Sequence, residues 1–338
     1  QELAFAGTPY GHTMLGSVGG IEAITLDDVR GFIAANFTQA NLTLGITGDI
    51  SQEAHAKLLE TLGKLPAGEP HQRSAITGVA GTGLQVEILE KETRSVGISF
   101  GHPITVRRGD QDFVALWLAR AWLGEHRASN GRLYNRIREV RGMNYGDYAY
   151  VEAFPRGMYQ FFPDPNRGRR AQLFEVWLRP LRPEQAVFGF KLALYELRKV
   201  IEGGISAQDF EDTREYLAKN VFVLTKTQDQ QLGYALDSEY YGIGEYTSYI
   251  RSELEKLTPD RVKEAIRRHF SADNLQAVII AADAKQMKEQ LLSDAPATIA
   301  YDGDKPDELL EEDRLVGAYD LRLTADSIVI TPIADVFR

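Results

Sequence analysis

Thr25-Leu26-Asp27-Asp28-Val29-Arg30 opens a stretch that continues through Ile33, Phe37, Asn41-Leu42 and Ile46. Thr258-Pro259-Asp260-Arg261-Val262-Lys263 opens a second, continuing through Ile266, Phe270, Asn274-Leu275 and Ile279. The two keep one constant offset, that from Thr25 to Thr258, over nine aligned positions and without a gap; Leu59 and Leu292 extend the match. Both copies dictate the same local structure. A threonine followed by an acid is an N-cap, and Pro259 suits a first helical position. Val29, Ile33 and Phe37 recur at helical spacing, as do Val262, Ile266 and Phe270. A polar turn then leads into a β-rich run, Leu42 to Thr47 or Leu275 to Ile280. Ser51, with Glu53 in its first turn, starts one more helix.

The offset from Thr25 to Thr258 is too long for a solenoid unit and suits a whole domain. The second copy has a long region ahead of it; the first has almost none. The expected organisation is therefore duplicated domains with the first copy truncated. Residues 1–65 read as the C-terminal part of a first domain, and the Pro- and Gly-rich residues 66–83 as a linker. Residues 84–295 read as a complete second domain, and 296–338 as a C-terminal tail that packs only in part.

Within the second domain, Val86 to Lys91 and the alternating Val96, Ile98 and Phe100 read as strands. A helix over about Asp110–Gly124 is apolar on all sides and so is expected to be buried. Ser129-Asn130 starts another, with Leu133, Ile137 and Val140 inward and Gly142 as its stop. Tyr145–Val151 and Leu173–Leu178 read as strands. Three or four helices fill 183–256, with Ser206 and Asp209 as a capping signal. Strands, then helices, then a returning strand give an α+β class, not a doubly wound sheet.

Composition narrows the function. Of 338 residues, 43% are hydrophobic and 25% charged, ordinary for a globular chain with a sizeable core. A net charge of −10 and a pI near 5.2 oppose binding to nucleic acid or to an anionic membrane. The absence of cysteine removes disulfides, thiolate ligands and a cysteine nucleophile. No run of apolar residues is long enough to span a bilayer. The chain opens on Gln1-Glu2-Leu3, without a starting Met or an apolar signal region, as a processed or trimmed chain would.

No Gly-rich phosphate loop and no G-x-S-x-G elbow is present. The six histidines, at 12, 55, 71, 102, 126 and 269, are scattered, and none has H-E-x-x-H or H-x-x-E-H spacing. Trp122-Leu-Gly-Glu125-His126 matches the last two positions of H-x-x-E-H. Its first position is an indole, which has no lone pair for a metal. Either this is a decayed zinc motif, or Glu125 and His126 are polar residues at a helix end with Trp122 in the core.

Arg138-Glu-Val-Arg-Gly142-Met-Asn-Tyr145 is the second candidate. An Arg in a last helical turn and a Tyr opening the next strand can converge over one surface and stabilise a developing oxyanion. From the residues alone the simpler reading is preferred, in which the Arg complements the helix dipole and the Tyr suits a strand. The basic turn Arg167-Gly-Arg169-Arg170, after Pro163-Asp-Pro165-Asn166, reads as a solvated loop. Tyr240, Tyr241 and Tyr246 read as packing, not as a cage.

The order of these segments resembles the insulinase/pitrilysin family of zinc metallopeptidases, which includes the mitochondrial processing peptidases. Pro9-Tyr-Gly11-His12-Thr-Met-Leu15-Gly16, Ile21 to Thr25 and the unit to Asp49 resemble the second half of its catalytic domain. Leu133-Tyr-Asn-Arg-Ile137-Arg138-Glu-Val-Arg-Gly142-Met-Asn-Tyr145 resembles the R-x6-Y segment of the partner domain. The resemblance covers about residues 1–295.

It implies antiparallel sheets with helices on one face, two halves closing as a clamshell, and a peptide or unfolded polypeptide as substrate. It casts Arg138 and Tyr145 as catalytic residues that engage the substrate's scissile region opposite the zinc. Zinc, held by H-x-x-E-H and a downstream Glu in the complete enzyme, has no ligand in this chain. The implied function is the C-terminal portion of a zinc metallopeptidase, inactive alone; the alternative is a non-catalytic partner or structural subunit. The implied partners are a second copy of this chain or a zinc-bearing half, and the implied location is periplasmic or secreted.

Overall fold

The computed structural model describes residues 1–338 except 14, 80, 126–127 and 153–164. Its centre is a six-stranded sheet in the order β3-β4-β2-β5-β1-β6. The strands are β1 (Leu84–Glu90), β2 (Val96–Ile104), β3 (Asp147–Tyr150), β4 (Gln172–Leu181), β5 (Leu275–Ala281) and β6 (Ile328–Pro332). In chain order the helices are α1 (Val18–Ala23), α2 (Leu26–Asn36), α3 (Gln52–Leu62), α4 (Phe113–Leu123) and the short α5 (Arg132–Tyr134). They continue with α6 (Ala186–Gly203), α7 (Ala207–Leu224), α8 (Gln228–Tyr241) and α9 (Tyr246–Lys256). The last are α10 (Pro259–His269), α11 (Ala284–Leu292) and α12 (Asp307–Gly317). The class is α+β.

The sheet changes character across β5. β2 pairs antiparallel with both β4 and β5, and β3 antiparallel with β4. β1 instead pairs parallel with β5 and with β6. Parallel neighbours require long crossovers, and here the whole helical region separates β1 from β5. One sheet face carries Val86, Ile88, Ile98, Phe100, Val176, Leu178, Ala277 and Ile279, all buried. Phe100 meets Phe190 of α6 edge to face at 5.4 Å, and Phe174 stacks on Phe270 after α10 at 4.0 Å. Burying a side chain of this size contributes about 2–3 kcal/mol.

The two copies of the repeated pattern form matching helices. Thr25 accepts from the Asp28 N–H and Thr258 from the Arg261 N–H, and each opens an 11-residue helix. Beyond the helix they part. Leu275–Ala281 becomes β5, between β1 and β2, whereas 42–47 runs extended and pairs with no strand among the described residues. The expected strand is missing because a strand is completed only by its neighbours' backbone groups. The run instead lies over α8, where a Cβ on Gly45 would come 2.7 Å from Leu232 Cδ1.

The stretch expected as a tail adds both α12 and the edge strand β6 to the body of the molecule. Short and Pro-ended, Ile328–Pro332 gives a weak strand signal alone; its partner β1 lies at the opposite end of the domain's sequence. The Arg167–Arg170 turn is not merely solvated. Arg169 lies 4.1 Å over the Tyr10 ring, and the Arg170 N–H donates to Tyr10 Oη at 3.0 Å. It fastens the N-terminal segment to the domain, where Ala4, Phe5, Ile76, Ala171 and Leu173 form a small separate core.

Candidate active site

Arg138 and Tyr145 are brought together. Arg138 Nη2 donates to Tyr145 Oη at 2.6 Å, and the guanidinium carbon lies 3.9 Å from the ring centroid. Tyr145 is 64% exposed, among the most exposed aromatic side chains of the described residues. Because its hydroxyl accepts from the arginine, its own proton remains available to an oxygen arriving from solvent.

The backbone that presents this pair is not the α-helical turn expected from sequence. The helix begins at Arg132, later than Ser129-Asn130, and residues Asn135–Glu139 form a π turn in which the Val140 N–H donates to Asn135 O at 3.0 Å. Such wide turns insert one residue into a helix and recur at functional sites. Here Leu133 and Ile137 face the core, while Arg138 is half-buried and only its outer guanidinium reaches Tyr145. Gly142, at φ +69°, takes the left-handed conformation that reverses the chain.

Just beyond Tyr145 the chain is clamped again. Gly146 O accepts from the Arg179 N–H at 2.9 Å. A Cβ at Gly146 would come 2.4 Å from the Arg179 carbonyl oxygen, so that approach admits only glycine. Between the clamps, Asn144 Nδ2 donates to Asp147 Oδ1 at 2.6 Å, and both side chains are buried. Burial pushes the Asp147 carboxyl up to about 8, against the smaller opposing pull of Asn144.

Ion pairs brace the π turn from behind. Arg132 and Arg136 reach Glu196 of α6 at 2.8 and 3.2 Å. Arg141 reaches Glu312 and Asp313 of α12, both at 2.8 Å, and Arg136 shares Glu312. Lys305 Nζ donates to Val140 O at 3.0 Å. Arg136 is held below its ordinary value, first by burial and then by the like charge of Arg141. Removing one partner from a buried cluster of this kind costs about 3–5 kcal/mol. The C-terminal segment around α12 thus holds Arg138 in place, a role no local pattern announces.

The other candidates resolve as structure. Glu125 is buried, 2.8 Å from Arg120 Nη1, and accepts from Tyr216 Oη at 3.1 Å. Trp122 packs against the core, and His126 lies outside the described residues. His102 is held below its ordinary value by burial and accepts from the Ser271 N–H at 3.2 Å; His269 pairs with Asp112 at 2.8 Å. Among the described residues no three His, Asp or Glu side chains cluster so as to hold a metal ion. The described residues do not fit zinc.

Sequence reading missed a buried centre around Arg108. Its guanidinium pairs with Asp237 at 2.7 Å and Glu152 at 2.9 Å. It also lies within 6.0 Å of the Tyr234, Tyr241 and Tyr246 rings. Tyr241 and Tyr246, read as packing, join Tyr234 around the chain's own arginine, whereas Tyr240 packs edge to face on Tyr241. Asp237 further accepts the Asn166 and Arg167 N–H groups at 3.0 and 3.1 Å. Tyr234, Asp237 and Tyr241 share one face of α8, but Arg108 and Glu152 are too far away in sequence for a spacing rule to join them to it.

A scan against protein families matches residues 23–217, more than half of the chain, to Peptidase_M16_C, the Peptidase M16 inactive domain. The chain belongs to that family. The Helicobacter pylori protein described as "Non-peptidase homolog YmxG" is 22% identical over 287 residues, 84% of this chain and 62% of that protein. An "Uncharacterized zinc protease", SCO5738 of Streptomyces coelicolor, is 26% identical over 156 residues, 44% of this chain and 33% of that one. Among solved structures, an M16 inactive domain from Pseudomonas fluorescens superposes with a TM-score of 0.65 at 21% identity. That match covers 82% of this chain and 62% of the other. The chain thus spans less than two thirds of the length of each of these relatives, and the structural likeness speaks for the fold alone. Among the described residues no helix is long and apolar enough to cross a membrane.

Proposed function

We propose that this chain is the substrate-side portion of a zinc-dependent M16 metallopeptidase, in which Arg138 and Tyr145 engage the scissile region of an extended peptide. The observation that carries this reading is their direct hydrogen bond on an exposed, braced turn. The tyrosine proton and the remaining guanidinium donors can converge on one oxygen, where negative charge develops during acyl transfer. The side chains are already positioned, so little ordering is needed at the moment of reaction.

Zinc belongs to the complete enzyme in this reading, in a half that other residues supply. Residues 1–65 are then the closing part of the catalytic-type domain, joined through 66–83 to the complete Arg/Tyr domain. The partner is a zinc-bearing half or a second copy of this chain, and the compartment is outside the cytoplasm, as the family resemblance implies. In the assembly that contains the chain, Tyr145→Phe lowers kcat for an unstructured peptide by about 10²-fold, the loss expected for one oxyanion donor. Unchanged cleavage would remove the assigned role.

A second reading is a non-catalytic partner subunit, which the description of the Helicobacter relative as a non-peptidase homolog favours. Zinc content and peptide cleavage of the purified assembly separate the two. Stoichiometric zinc with cleavage supports the peptidase; neither supports the structural subunit.

A further inference from the structure

Behind the π turn, Arg132, Arg136 and Arg141 each meet a carboxylate of α6 or α12. Arg179, on β4, meets none among the described residues. Its side chain is partly exposed and held on two sides. The guanidinium carbon lies 4.5 Å from the Trp177 ring, and Nη2 donates to Tyr148 Oη. Its other N–H groups make no hydrogen bond to the described residues, and none of them is buried. Glu175 shares the Arg179 face of β4 but is turned elsewhere. It accepts from Ser99 Oγ at 2.5 Å, and burial holds its carboxyl above the ordinary range, with Arg179 a lesser influence. Arg179 is therefore a fixed cation whose charge nothing nearby pairs. Its location gives this meaning. The Arg179 N–H donates to Gly146 O at 2.9 Å, and Arg179 Cγ lies 3.5 Å from where a Cβ on Gly146 would stand. Gly146 directly follows Tyr145, so the arginine leaves the sheet alongside the candidate site.

We infer that Arg179 is a specificity-determining residue of this site and selects peptides with an Asp or Glu side chain within two residues of the bond that Arg138 and Tyr145 engage. The inference rests on the substrate-side reading of that pair. Successive residues of an extended peptide advance about 3.3 Å, so side chains one or two positions away come level with the strand beside Gly146. A guanidinium is suited to the task. Its planar fork matches a carboxylate, and stacking on an aromatic ring holds it in place before the ligand arrives. The net charge of −10 opposes acidic ligands over the chain as a whole, so a preference for one reports a local cation.

The test uses the assembly that contains the chain and short unstructured peptides in which Glu, Gln or Lys is moved one position at a time. All are amidated at the C-terminus, so a side chain is the only carboxylate, and mass spectrometry locates the cleaved bond. With Glu within two residues of that bond, kcat/KM is expected to exceed that of the Gln peptide about tenfold at low salt, the factor for one charge-assisted hydrogen bond at a partly exposed site. Arg179→Gln brings the Glu-to-Gln ratio close to one. Arg179→Lys, which keeps the charge, retains part of the preference, and Arg179→Glu turns it towards the Lys peptide, which a merely structural role would not do. No Glu preference in the unaltered assembly, or one that survives Arg179→Gln, overturns the inference. Where the assembly binds without cleaving, fluorescence anisotropy on the same labelled peptides gives the same comparison. Tyr145→Phe separates the two readings. If it slows every peptide alike while Arg179→Gln leaves the ratio unchanged, the site stands and this inference falls; if it alters no rate, both fall.

Discussion

Ile33 and Ile266 hold the same position in two copies of one sequence pattern, yet the first is 48% exposed and the second fully buried. Phe37 and Phe270 differ likewise, at 58% and 5%. Their helices share length, cap and spacing. What separates the copies is their surroundings. α10 packs on α4 and α6, and β5 enters the sheet on both edges. α2 buries no residue. Local sequence is sufficient to make the helix; only distant residues make it part of a core.

The sharpest way to break this comparison is to shorten both isoleucines. Ile266→Ala should lower stability by about 3–4 kcal/mol, as a large-to-small change in a packed core does. Ile33→Ala should cost less than about 0.5 kcal/mol. Urea unfolding of the two variants measures both, and equal losses would mean that the first copy is as well packed as the second.

A second contrast concerns acids. Asp28 is exposed, and hydrogen bonds from Thr25 hold its carboxyl below the usual range. Asp147 is buried and pushed up to about 8. Asp147 therefore keeps its proton in the folded state at pH values where the unfolded chain has lost it. Stability then falls as pH rises from the ordinary carboxylate range towards 8, by up to about 3 kcal/mol between pH 6 and 8. Asp147→Asn should flatten that slope, as followed by urea midpoints across pH; a slope that survives the substitution would place its source elsewhere.

The smallest effect sits at the junction between the regions. Tyr10→Phe removes the hydroxyl that accepts from Arg170 and should cost about 1 kcal/mol locally. Hydrogen exchange would show faster exchange at the Arg170 amide and through 1–13, with the β1 and β5 amides unchanged. A global change would mean that the N-terminal segment and the sheet unfold together.

These contrasts mark how far the sequence could be read. Caps and periodic helices were legible because their determinants lie close together along the chain: Thr25, Thr258 and Ser206 all cap as expected. Strands were legible where alternation was strong, as in Val96, Ile98 and Phe100. The same reasoning put a strand at 42–47, where none pairs, and passed over β6, because a ladder partner is not written in the strand itself. At the candidate site, the sequence brought Arg138 near Tyr145 but by itself favoured dipole and strand packing over chemistry, and only resemblance reversed that. The π turn, the α12 brace and the Arg108 centre were invisible, since each depends on side chains from distant segments meeting in space.

The parallel pairing of β1 carries a consequence in time. β1 ends at Glu90 and its neighbour β5 begins at Leu275, so everything between them must emerge before one edge of β1 can be paired. At ordinary rates of synthesis that is roughly 10–40 s. β6 follows later still. Throughout that interval Val86 and Ile88 belong to a strand with no ladder on either side. Residues 84–90 of the nascent chain therefore wait unpaired, and synonymous changes that slow synthesis between 90 and 275 would lengthen that wait without altering one residue of the product.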